Sequence, residues 1–132
     1  MRGAVLLVLD SPGTRALYAE HFRANELRVY EAEGVQDALT YLDVMTPDVI
    51  VTGFRPDDGP MLLHELRSRA DRATSIIVVS APEHQESARN AGADCLVREP
   101  VLPADVLYEV HRALILRRSG RRLAWNWRSD RS

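Results

Sequence analysis

Pro47-Asp48-Val49-Ile50-Val51-Thr52-Gly53 is a short apolar run held between a Pro-Asp pair and a glycine. Unbroken apolar character over Val49–Val51, rather than alternation, marks a strand covered on both faces. Ala4–Leu9 and Ile76–Val79 read the same way, and Leu27–Tyr30 and Cys95–Val97 supply two shorter strands. Helical patterns fill the gaps. Ser11-Pro12 opens the first, since serine can cap free N–H groups and proline fits the first helical position. Ala38, Leu39 and Leu42 mark a second over about Val35–Met45, and Leu62, Leu63 and Leu66 a third over Met61–Arg69. A short helix near Glu83–Ala91 stops at Gly92, and a last one starts at Pro103 with Val106, Val110, Ala113 and Leu114 as its stripe. Strand–helix alternation of this kind predicts a five-stranded parallel sheet with helices on both faces. Its crevice lies at the carboxyl ends of the strands, where Asp10, Gly53, Ser80 and Arg98-Glu99 fall.

The 132 residues suit one domain, and 45% apolar with 27% charged residues is ordinary globular composition. No apolar run reaches the roughly 20 residues of a membrane span. The lone Cys95 rules out an internal disulfide and fits a reducing cytoplasm. All 17 basic residues are arginine. Residues 117–132 carry six arginines against Asp130, a net +5, so the preceding 116 residues carry −7. An acidic body therefore ends in a basic tail, and the chain divides at about 118/119.

Order and spacing together carry a family resemblance. Ala38-Leu39 and Leu42, Pro47-Asp48, Asp58-Gly59 with Leu62-Leu63, Ile76–Ala81, Gly92-Ala93-Asp94 and Glu99-Pro100 resemble the receiver (CheY-like) domain of bacterial response regulators over residues 4–116. The resemblance implies a flavodoxin-like (βα)5 fold in two-component phosphorelay signalling, with no enzymatic activity. In a working receiver, two acids after the first strand and an aspartate ending the third hold Mg²⁺. A lysine after the fifth strand neutralises the phosphoryl oxygens, and a Ser/Thr after the fourth closes on them.

Carried over by position, the acid pair falls on Leu9 and Asp10, the phosphoacceptor on Gly53, the switch hydroxyl on Ser80 and the lysine on Glu99. The signalling aromatic falls on Leu96, which makes Leu96 a partner-binding candidate. Two spacings are also short, Gly53 to Gly59 and Ser80 to Gly92, which trims one loop and clips the fourth helix. These losses imply a degenerate, phosphorylation-independent pseudo-receiver.

Asp57 or Asp58 could serve as an unconventional acceptor, but Asp58-Gly59 reads as a turn into the next helix. Asp10, with Glu99, is a weak Mg²⁺ candidate lacking a third ligand; a salt bridge to Arg55 or Arg98 is the simpler expectation. Ser80 is expected to bond local backbone, and Cys95 to be core. His21, His64, His84 and His111 are too scattered for a catalytic cluster. A flavin site is disfavoured because the turn Asp10–Thr14 begins with an acid. In the tail, Arg117, Arg118, Arg121, Arg122, Trp125 and Trp127 are candidates for a protein partner, for a homodimer or, less favourably, for nucleic acid; the plain alternative folds the tryptophans back onto the acidic body. No cofactor and no membrane association are expected.

Overall fold

The computed structural model describes residues 3–128, with backbone alone for 127 and 128. β1 (Ala4–Val8), β2 (Arg28–Ala32), β3 (Val49–Gly53), β4 (Ser75–Ser80) and β5 (Cys95–Arg98) alternate with α1 (Pro12–Ala24), α2 (Val35–Val44), α3 (Gly59–Arg69), α4 (Gln85–Ala91) and α5 (Pro103–Arg117). All the strands are parallel, in the order β2-β1-β3-β4-β5, the flavodoxin-like arrangement expected. The tail contributes one more element: β6 (Asn126–Arg128) pairs in parallel with the outer side of β5.

Side-chain alternation along the strands sorts the apolar residues into two cores. Val5, Leu7, Val49, Val51, Ile77 and Val97 point to α1 and α5, where Tyr18, Phe22, Val106 and Val110 meet them. Leu6, Val8, Ile50, Ile76, Val78 and Leu96 point to α2, α3 and α4, where Ala38, Leu63, Leu66 and Ala88 complete the second layer. Burial on both faces explains why these strands read as unbroken apolar runs.

The helix ends follow the local chemistry. Ser11 Oγ accepts the Thr14 N–H at 3.4 Å, with Pro12 at the first helical position. Gly92 closes α4 at φ 117°, a left-handed conformation that glycine adopts without strain. Two boundaries shift. α3 begins at Gly59 rather than Met61, because Pro60 fits its first turn. The α4 segment starts as a single 3₁₀ turn at Pro82–His84, leaving only seven residues of α-helix.

The described part of the tail is held to the body. Arg117 Nε reaches Asp48 at 2.7 Å and its Nη1 reaches Asp71 at 2.8 Å. Burial works against that guanidinium's charge, but the hydrogen bonds to Asp71 and Asp48 prevail and hold it above its ordinary range. Arg122 Nε lies 2.9 Å from Asp94, and the buried Leu123 donates its N–H to Ser75 Oγ at 2.8 Å. Trp125 packs against the second core with Arg89 over its ring, 5.5 Å from the centroid.

Candidate functional site

The crevice forms where β1, β3, β4 and β5 end. Gly53 closes β3, and a Cβ built there would meet only Leu9 Cδ2, at 3.4 Å. The position that resemblance gives to an acceptor is thus bordered by a leucine side chain. Arg15 holds that leucine's backbone, donating to the Leu9 carbonyl at 2.6 Å, a role invisible in the sequence. Asp10 is exposed, and Arg55 Nη1 lies 3.3 Å from it. Arg55 also reaches Asp58 at 3.1 Å. All three groups are well exposed, so solvent screens these pairs and they add little to stability. Ser80 is buried, and its Oγ has no hydrogen-bond partner among the described residues. The expected bond to local backbone is therefore not formed among the described residues. Glu99 is exposed after β5, and Arg98 beside it is half-buried.

The loop after β3 is short because Phe54 turns into the second core and Gly59 packs under its ring. A Cβ on Gly59 would lie 2.7 Å from Phe54 Cδ1. The Gly59 N–H donates to the Arg55 carbonyl at 2.6 Å, closing the turn. Asp57 is exposed in this loop, and Asp58 precedes α3 without capping it through its side chain.

A family model for the response regulator receiver domain matches residues 5–110. The chain belongs to that family. Solved receivers share its fold. The receiver domain protein of Methanospirillum hungatei superposes with a TM-score of 0.81 at 20% identity, over 91% of this chain and 99% of that one. A response regulator of Thermotoga maritima gives 0.77 at 19% identity, over 87% and 99%. A chemotaxis response regulator of Vibrio cholerae gives 0.76 at 23% identity, over 86% and 100%. No curated protein is similar enough in sequence to count as a relative.

Receivers bind Mg²⁺ through several carboxylates, and the donor set of this receiver does not fit that ion. Leu9 and Gly53 offer no side-chain oxygen, Asp10 faces Arg55, and no group of three or more metal-ligating side chains exists among the described residues.

Glu99 acts at a distance on Tyr18 of α1. Burial, then the charges of Glu99 and Asp105, push the Tyr18 phenol up to about 12. The neutral phenol is favoured in the folded state, so this contribution is complete below pH 10 and is lost as pH rises toward 12. Alkaline titration of stability should show a fall on the order of 2 kcal/mol across that window. Glu99→Gln should draw the fall toward lower pH, and an unchanged profile in Tyr18→Phe would refute the assignment.

The partner candidates fare unevenly. Leu96 is fully buried in the second core, since β5 alternation turns it inward, and it cannot meet a partner. Arg117 and Arg122 are engaged with Asp48, Asp71 and Asp94, and Trp125 is half-buried, so these three serve the fold first. Arg118 and Arg121 are exposed, whereas the Trp127 side chain lies outside the described residues. The sequence points to the last two helices and the tail as the partner surface but does not single out the exposed apolar residues Tyr108 and Ile115 of α5; their seven-residue spacing was the available signal.

Proposed function

We propose that this receiver passes its signal by protein–protein contact and without phosphorylation, as a pseudo-receiver of the two-component type. The observation that carries this reading is Gly53: β3 ends with no oxygen to attack a phosphoryl donor. Leu9 removes one metal carboxylate, and Glu99 sets a negative charge where phosphoryl oxygens need a positive one. The exposed face of α5, with Tyr108 and Ile115, and Arg118 and Arg121 beyond it, is the surface offered to a partner or to a second copy. Nucleic acid is the weaker alternative, because two of the tail arginines already hold carboxylates of the body. Cys95, buried and outside any disulfide, suits a reducing cytoplasm.

Intact mass after incubation with acetyl phosphate and Mg²⁺ should be unchanged. A phosphoryl adduct removed by hydroxylamine would overturn the proposal and direct mapping to Asp57 and Asp58. Gly53→Asp should fold, since its Cβ meets Leu9 only at van der Waals distance. It should still acquire phosphate at least about 100-fold more slowly than the triple variant Leu9→Asp/Gly53→Asp/Glu99→Lys, because acceptor, metal ligand and cation act together.

A further inference from the structure

A cavity of about 330 Å³ lies beside Gly53, between the starts of α2 and α3. We propose that this cavity binds a small organic cation, a protonated amine or guanidinium on a body of about one ring. The inference goes beyond the signalling reading and does not depend on it.

Three observations support that ligand class. The volume lies at the lower end of ligand cavities, which run from about 300 to 1,000 Å³, and so admits a small molecule rather than a nucleotide. Val8, Val35, Phe54, Met61 and Leu62 supply an apolar lining. Met61 is 74% exposed, an unbranched side chain free to fold over a bound ring. Four carboxylates, those of Asp10, Glu33, Asp58 and Glu65, line the same space against the single guanidinium of Arg55.

Charge then decides between ligands. Arg55 is shared between Asp10 and Asp58. The carboxylates of Glu33 and Glu65 have no hydrogen-bond or ion-pair partner among the described residues. The starts of α2 and α3 each bring a partial positive charge of about one half, which the uncompensated carboxylates outweigh. A cleft of one sign with apolar walls concentrates the opposite ion, so an anion is repelled and a neutral molecule gains only its apolar contact.

The test is a titration followed by backbone amide chemical shifts, with phenethylamine, phenethyl alcohol and hydrocinnamate as cationic, neutral and anionic probes of one shape. The amine should give saturable shifts at Gly34, Gly53 and Met61, with affinity about tenfold above the alcohol, and the carboxylate should give none. Glu33→Gln/Glu65→Gln, which disturbs no described contact, should reduce the amine to the level of the alcohol. Val35→Trp should fill the space and abolish the shifts. Equal affinity for amine and alcohol, an unchanged affinity in the double variant, or no saturable shift up to the solubility of the amine would each overturn the proposal. These shifts are read without any phosphoryl donor, so this proposal and the phosphorylation reading can fail separately.

Discussion

Asp94→Ala should lower stability by about 3–5 kcal/mol, the cost of breaking a buried charge pair from one side. Asp94 is 6% exposed at the entry to β5. Its carboxylate accepts the Ile76 N–H at 2.8 Å, Arg67 Nη1 at 3.2 Å and Arg122 Nε at 2.9 Å. Removing it leaves a buried amide without its partner and a largely buried Arg67 without its counter-ion. Burial pushes the Asp94 carboxyl above its usual range despite the bond from Ile76 and both arginines, and burial also pulls Arg67 below its own. The cluster therefore gains little net energy from its charges, yet each member depends on the others. Asp94→Asn, which keeps an acceptor for Ile76, should cost less than Asp94→Ala. Urea denaturation followed by circular dichroism checks the series; a loss under about 1 kcal/mol for Asp94→Ala would mean that the cluster is not formed as described.

Removal of residues 120–132 should also cost roughly 3 kcal/mol or more, since burying a leucine contributes about 1.5–3 kcal/mol by itself. Leu123 is 2% exposed, its N–H bonds Ser75, and Arg122 leaves with it. Tm should fall by roughly 10 °C, at about 4 °C per kcal/mol for a domain of this size. Amide exchange in β5 should accelerate, because β6 no longer covers its outer side. An unchanged Tm would show that the tail is an independent arm. Combined with Asp94→Ala, the deletion should cost less than the sum, since both remove the Arg122–Asp94 pair.

The five strands and five helices were legible because burial on both faces writes continuous apolar runs, and Pro12, Gly92 and Pro103 punctuate them. The site was legible as substitutions, at Leu9, Gly53 and Glu99, because the family resemblance fixed where each group should stand. Three things were not legible. Leu96 stood as a partner candidate through its place in the family pattern, whereas alternation along β5 turns it into the second core. The return of the tail tryptophans to the acidic body was one of the readings the sequence allowed, but the carboxylates that receive Arg117 and Arg122, namely Asp48, Asp71 and Asp94, are distant in sequence and meet them only in the fold. The cavity was hidden for the same reason, as Glu33, Gly53 and Glu65 converge from three elements.

The strand formed by Asn126–Arg128 also bears on how copies of this protein treat one another. An open parallel strand end-on to solvent presents unpaired N–H and C=O groups that a neighbouring molecule can extend. β5 would offer such a row, and β6 covers it along Cys95–Val97. At the opposite margin, β2 is guarded by the charges of Arg28 and Glu31. The protein thereby limits strand-by-strand stacking at both margins of its sheet, a safeguard against aggregation in a concentrated cell.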